Sequence, residues 1–328
     1  MSSALRWGIL GPGNIANKFA KGLQALPDAV IAAAASRSAT TVNAFADTYN
    51  IPTRHTSYEA LAKDPGVDIV YIAVPHAFHH EMIRLCLEHG KHVVCEKPIT
   101  YSAKRTREVV GLARTKKRFL MEAMWTRFFP IMDEVRTRIK QGQIGAVRMI
   151  QADFGFRAGI DPKGRLFDPK LAGGGLLDVG VYPIALFHML LGAPAKIAGF
   201  AHMGETGVDE QAAWVFNYAG GELAIGSSAI RTSTPMEALI AGTDGSIRIA
   251  SPWWIPTKMT VQQAGKPAET IEHPLVGTGM NYEAAAVMDC IRKGMTECPI
   301  IPLDESIAIA ESMDELRRQW GFVYPMEK

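Results

Sequence analysis

The sequence predicts an α/β protein in two parts. A doubly wound parallel sheet comes first, and an α+β region built on a large, mostly antiparallel open sheet follows. Three observations carry this. Up to about residue 123, short apolar runs alternate with amphipathic stretches of roughly ten residues, as in a parallel sheet covered by helices on both faces. The first run opens into a glycine-rich turn. Beyond that region strand-like segments succeed one another directly, with Gly220-Gly221 and Asp244-Gly245 as hairpin turns, and hairpins leave their strands antiparallel.

Taken in order, the expected strands of the first part are Trp7–Leu10, Val30–Ala35, Ile69–Val74, His92–Cys95 and Phe119–Glu122. The helices between them are Ile15–Gln24, Thr40–Tyr49, Tyr58–Lys63, His80–His89 and Ala103–Thr115. In the second part Val147–Phe156, Lys196–Met203, Gln211–Tyr218, Leu223–Ile230, Glu237–Ala241, Ser246–Ala250 and Lys258–Gln263 read as strands. Two late helices follow near Tyr282–Lys293 and Asp304–Trp320. The latter is acidic in its first turn and carries Arg317-Arg318 in its last, the polarity a helix dipole favours. The expected domains are residues 1–123 and 124–328.

A chain of 328 residues is long enough for two cores, and 35 basic residues nearly balance 33 acidic ones. With no run of like charge, neither nucleic acid nor an anionic membrane is expected as a partner. The four cysteines are scattered, without the close pairing of a zinc site or redox motif, so no metal is expected and reduced thiols fit a cytoplasmic protein. The N-terminus has no signal-peptide pattern, and its longest apolar run, Ala29 to Ala35, is too short for a bilayer.

Gly11-Pro12-Gly13-Asn14-Ile15-Ala16 fits G-x-G-x-x-G/A between a strand and a helix. Gly11 permits the tight turn, Gly13 lets backbone approach a pyrophosphate, and Ala16 lets helix and strand pack closely. The helix that starts here offers free N–H groups and dipole to the same anion. About twenty residues on, where an NAD-binding protein usually carries a carboxylate for the ribose, this chain has Ser36-Arg37-Ser38. Arg37 and its hydroxyl neighbours suit a 2′-phosphate, so NADP is expected ahead of NAD; the alternative is that Arg37 stacks on adenine or is solvated.

Glu96-Lys97-Pro98 ends the run Lys91–Cys95, at the edge where dinucleotide-binding sheets do their chemistry. Oxidising a hydroxyl needs a hydride acceptor and a base for the proton. A tyrosine, with an ordinary pKa of about 10, becomes such a base only beside a cation that favours the phenolate. Lys97 and Tyr182 are the expected pair, converging from the two parts of the chain. Asp178 stands four residues before Tyr182, on the same side if that stretch is helical. Pro183 disturbs a continuous helix there, which leaves a helix N-cap as the alternative for Asp178.

These motifs, together with Gly173-Gly174-Gly175-Leu176-Leu177-Asp178-Val179-Gly180-Val181-Tyr182, resemble the glucose–fructose oxidoreductase / inositol dehydrogenase / rhizopine-catabolism family across nearly the whole chain. Met121-Glu122-Ala123-Met124-Trp125-Thr126-Arg127-Phe128 narrows the resemblance to the dimeric dihydrodiol and NADP-dependent xylose dehydrogenase branch. The resemblance implies a Rossmann domain, a catalytic lysine–tyrosine pair at Lys97 and Tyr182, a positioning role for Asp178 and a Lys97–Pro98 bond that is commonly cis. It also places the loop Val74-Pro75-His76-Ala77-Phe78-His79-His80 at the nicotinamide ribose, with His76 and His79 closest; the alternative is that His79 or His80 is an ordinary helix-start residue. Glu96 and Lys97 complete the expected cofactor contacts.

For the substrate, a pyranose, aldose or cyclic diol, Trp125, Phe154 and Trp254 are candidate platforms, because aromatic rings cover the apolar faces of such molecules. Arg127, Arg148, Arg157 and Arg165 are candidate hydroxyl partners, Arg148 singled out among them. An antiparallel sheet with helices on one face needs cover on the other, which points to a homodimer through that sheet. Two alternatives remain at this level: a non-enzymatic dinucleotide-sensing regulator, and a glycosidase that uses bound NAD transiently.

Overall fold

A computed structural model describes residues 4–328. The chain forms two compact units, one ending at Trp125 but regaining Leu275–Ser306, the other made of Thr126–Pro274 and Ile307–Lys328. The first break between the units falls after Trp125. Residues 275–306, expected in the second part, pack with the first unit.

The first unit alternates β1 (Leu5–Leu10), α1 (Asn14–Gln24), β2 (Ala29–Ala35), α2 (Ala39–Tyr49), β3 (Thr53–His55), α3 (Tyr58–Lys63), β4 (Ile69–Ile72), α4 (His79–Glu88), β5 (His92–Glu96), α5 (Ala103–Lys116) and β6 (Leu120–Ala123). The strands are parallel neighbours in the order β3-β2-β1-β4-β5-β6, the doubly wound dinucleotide-binding topology. Its strand order reverses between β1 and β4, so the loops after these two strands flank the switch point where ligands bind. Central strands are buried on both faces, which is why they read as unbroken apolar runs.

The second unit begins with α6 (Pro130–Lys140) and β7 (Val147–Gly155), then α7 (Val181–Leu191), β8 (Lys196–Met203), β9 (Asp209–Asn217), β10 (Leu223–Ala229), β11 (Ala238–Gly242), β12 (Gly245–Ile249), β13 (Lys258–Gln263) and β14 (Glu269–Glu272). The eight strands lie in the order β14-β13-β12-β11-β7-β10-β9-β8. Every pair is antiparallel except β7 with β10, which run parallel. β8 and β9 alternate between shielded and exposed positions, so one face of this sheet is open. The helices α8 (Met280–Arg292) and α9 (Leu303–Gln319) close the chain. α8 packs on α1 within the first unit, where a Cβ at Gly22 would stand 3.0 Å from the Asn281 nitrogen.

Pro169–Leu191, which contains α7, is apolar and long enough to cross a bilayer by composition alone, yet most of it is buried inside the molecule, as in a core helix. The stretch opens on a wide π-turn, Leu176–Gly180, directly before α7. Pro183 stands in the first turn of α7 and has no N–H to close an α-turn onto Val179, so the π-turn accommodates it without ending the helix. All four cysteines are free and buried.

Candidate active site

The glycine loop follows β1. Gly11 has φ +87°, and a Cβ there would lie 2.9 Å from Val74 Cγ1 and 3.0 Å from Ala73 O, so only glycine fits against the end of β4. Gly13, at the N-cap of α1, is different: a Cβ would meet nothing within 4 Å. The protein's own packing does not require glycine there, whereas close approach of a pyrophosphate does. No side chain caps α1 and its first turn holds no acidic residue, so the N–H groups at Asn14 and Ile15 face an anion unopposed. These features fit a dinucleotide.

Ser36 and Arg37 follow β2 directly. Ser36 is buried, and its hydroxyl accepts from the Ser38 N–H at 3.2 Å. Ser38 caps α2 through the Thr41 N–H. Arg37 is exposed, its guanidinium carbon 5.7 Å from the Phe78 ring centroid.

Lys97 follows β5 on a turn whose Lys97–Pro98 bond is cis. Several buried groups hold this turn. The Ile99 N–H donates to Glu122 Oε1 at 3.0 Å, and Tyr71 Oη donates to Glu96 Oε1. Tyr71 stacks on Phe19 of α1, ring centroids 3.7 Å apart. His79 lies 2.8 Å from two carbonyl oxygens, Nδ1 from Pro98 O and Nε2 from Val74 O. Burial pulls its pKa below the ordinary value against the effect of those carbonyls. The expectation that His79 faces the nicotinamide ribose is therefore corrected. It is fully buried with both nitrogens engaged, and it ties the Pro75–His76 loop to Pro98. His76 itself opens the short 3₁₀ turn before α4 and is partly exposed.

Beneath the same strands lies Glu283 of α8, fully buried, its carboxylate without a hydrogen-bond partner among the described residues. Burial and then the neighbouring Glu96 charge push its pKa well above the ordinary carboxyl value. The sequence reading missed it. The signal was a carboxylate on the apolar stripe Met280, Ala284, Val287 and Met288.

In the second unit the glycine segment 173–175 leads through the π-turn to Asp178 and on to Tyr182 in α7. The N-cap positions of the π-turn and of α7 are Gly175 and Gly180, and Asp178 Oδ1 accepts from Arg165 Nη1 at 2.6 Å. Tyr182 stands beside Phe154, ring centroids 5.3 Å apart, and Phe154 stacks on Trp254 at 3.5 Å. These three rings form one aromatic group. Arg148 is not part of it. It lies six residues back along β7, about 20 Å from Phe154 at ordinary strand rise, and its guanidinium donates to Gly220 O in a hairpin turn. Arg127, unlike the exposed Arg148, is buried and donates to Ala185 O of α7 at 2.6 Å. Trp125, also buried, opens the 3₁₀ turn Trp125–Phe128 after β6.

A parallel sheet with a glycine cradle at its switch point and a lysine turn at its carboxyl edge defines a nicotinamide-dependent oxidoreductase. The chain matches "Oxidoreductase family, NAD-binding Rossmann fold" over residues 5–124 and "GFO/IDH/MocA C-terminal domain" over residues 132–248. It is 41% identical to trans-1,2-dihydrobenzene-1,2-diol dehydrogenase of Mus musculus, over 99% of each chain. In fold it is similar to levoglucosan dehydrogenase in complex with NADH and levoglucosan, with TM-score 0.89 and 19% identity over 97% of this chain and 98% of that one. It is likewise similar to a 3-ketoreductase from Actinomadura kijaniata in complex with NADP and TDP-benzene, with TM-score 0.87 and 24% identity over 96% and 98%. The chain belongs to the glucose–fructose oxidoreductase / inositol dehydrogenase / rhizopine-catabolism family. It is an enzyme, an NAD(P)-dependent oxidoreductase acting on CH–OH groups.

Proposed function

We propose that this protein interconverts a hydroxyl and a carbonyl on a sugar or cyclic diol, with NADP as cofactor and Lys97 and Tyr182 as its acid–base pair. The observation that carries this is the aromatic group at Tyr182. Phe154 stacked on Trp254 offers the kind of face that covers the apolar side of a pyranose or a dihydrodiol, beside a phenol able to take a proton. The name of the Mus musculus relative supports the diol, and those of the fold neighbours support the sugar.

The bound nicotinamide supplies the hydride acceptor for the carbinol carbon. This chain's residues do the rest. Gly11, Pro12, Gly13, Asn14 and Ile15 hold the pyrophosphate, Ser36 and Arg37 the 2′-phosphate, and Pro75 and His76 the ribose next to the ring. Tyr182 Oη takes the hydroxyl proton in oxidation and returns it in reduction. The Lys97 ammonium favours the phenolate, and Glu96 fixes the start of the Lys97 turn through Tyr71. Asp178, anchored by Arg165, orients the substrate on the turn before Tyr182.

Tyr182→Phe and Lys97→Met are each expected to lower turnover by about a hundred-fold or more, with cofactor binding retained. A spectrophotometric screen of aldoses, inositols and trans-dihydrodiols with NADP and NAD identifies the substrate and reads the effect. Near-normal rates in either variant exclude the pair. The same reading includes a homodimer formed through the open face of the eight-stranded sheet, where Phe200, Val215 and Ile225 are exposed.

A further inference from the structure

The Gly173–Leu176 segment is held at both ends by buried groups that no motif accounts for. At its start Gly173 O accepts from Tyr324 Oη at 2.7 Å, and Tyr324 is fully buried. At its end the Leu176 N–H donates to Asp209 Oδ2 at 2.6 Å, and Asp209 is 1% exposed at the first position of β9. Between them Gly174 takes φ +115°, and a Cβ there would lie 2.1 Å from Asp209 Oδ1. The Gly174 N–H donates to Leu166 O at 2.9 Å, and the Asp178 N–H donates to Gly174 O. The π-turn that carries Asp178 and leads to Tyr182 therefore starts from a backbone fixed on three sides.

Tyr324 is itself locked. The Arg317 guanidinium carbon is 4.9 Å from its ring centroid, and Arg317 reaches Glu327 Oε2 at 2.5 Å and Asp314 Oδ1 at 2.6 Å. Glu327 Oε2 also accepts from the Tyr324 N–H at 3.0 Å. The hydroxyl of the Tyr324 phenol is spent on the turn two elements before the proposed acid–base residue.

We infer that Asp209 and Tyr324 are positioning residues, a two-point clamp on the Gly173–Leu176 turn that sets the place of Asp178 and Tyr182 for catalysis. The inference rests on the reading of Tyr182 as the acid–base residue. The clamp requires the glycine run on structural grounds: Gly174 gives way to the Asp209 carboxylate, and Gly173 to Leu166 O, which a Cβ would approach to 2.7 Å.

The decisive variant is Tyr324→Phe, which keeps the ring over Arg317 and removes only the hydroxyl. It is measured in the full-length enzyme by amide hydrogen exchange across residues 173–182 and by kcat against KM. Faster exchange confined to 173–182 is expected. With it should come a fall in kcat of about ten-fold or more and a cofactor Kd within about two-fold of wild type. Asp209→Asn, which keeps one acceptor oxygen, should act in the same direction, and Asp209→Ala more strongly. Unchanged exchange in Tyr324→Phe overturns the clamp whatever the rate does. Faster exchange with an unchanged kcat overturns its catalytic role. Failure of the underlying reading shows separately, as normal turnover in Tyr182→Phe, and the exchange experiment still decides the clamp.

Discussion

Arg37 sits in water at the end of β2, where no carboxylate stands to repel a 2′-phosphate. Its guanidinium is placed near Phe78 and, among the described residues, spends no hydrogen bond on a carboxylate, so its donors can serve an anion. A charge-assisted contact of this kind contributes roughly 1.5–3 kcal/mol, about a ten- to hundred-fold effect on Kd. Arg37→Asp is therefore expected to weaken NADP by that factor relative to NAD, read by titrating reduced-nicotinamide fluorescence. An unchanged NADP/NAD ratio removes Arg37 from the phosphate site. The residues legible from sequence are those whose type is forced locally: Gly11 by its positive φ and Gly13 by the space it leaves. Glu122, Asp209 and Tyr324 were illegible because each acts on backbone far away in the chain. Their partners are set by packing between elements, which leaves no pattern at fixed spacing. His79 misled for the same reason: its sequence position pointed to a ligand, while its partners are the carbonyls of Val74 and Pro98.

Elements were legible in proportion to how strongly burial patterns them. The central parallel strands gave unbroken apolar runs, and β8 and most of β9 alternate. β3 and β14, three and four residues long, carry too few positions for either pattern. α7 was hidden because it is buried all round, so no apolar stripe marks it, and because Pro183 reads as a breaker. α6 begins with Pro130 at its first position, where proline starts a helix instead of stopping one. The open face of the large sheet makes an element-level prediction. Phe200 is 86% exposed on β8, and Val215 on β9 pairs across the sheet with Ile225 of β10. Three large apolar side chains in water on one face are the composition of an interface core. Phe200→Asp is expected to raise the dimer dissociation constant by about ten-fold or more, since burying an unpaired carboxylate opposes association. Sedimentation velocity reads the change. A wild-type protein that is wholly monomeric at micromolar concentration sinks the dimer itself.

Across the whole molecule two buried groups make stability depend on pH in opposite senses. Burial pushes the Asp209 carboxyl up to about 7, outweighing the Leu176 N–H and the Arg317 charge, which act to lower it. The charged and titratable groups that act with it are Arg317 and Tyr324. Its pKa is higher folded than unfolded. Asp209 thus contributes stability that is fully present below the unfolded value near 3.8 and is lost as pH rises through about 7. The full span is on the order of 4 kcal/mol. His188 of α7 runs the other way. Burial and then the Arg127 charge pull it down to about 4, with Nε2 2.9 Å from Ser312 Oγ and Nδ1 unpartnered among the described residues. The unfolded chain takes up a proton at an imidazole near 6.5 that the folded protein refuses until about 4. Stability from His188 is therefore present above the unfolded value and lost as pH falls, by on the order of 3 kcal/mol. Between pH 4 and 6.5 the two slopes oppose, and each hides the other in the wild type. Removing Asp209's titration in Asp209→Asn should leave the His188 slope exposed, so that its Tm rises with pH relative to wild type across that window. His188→Asn should show the reverse, a Tm that falls with pH relative to wild type. Differential scanning calorimetry at pH 4.5, 5.5 and 6.5 measures both differences. Parallel Tm curves for wild type and either variant would mean that the group does not titrate as its burial dictates.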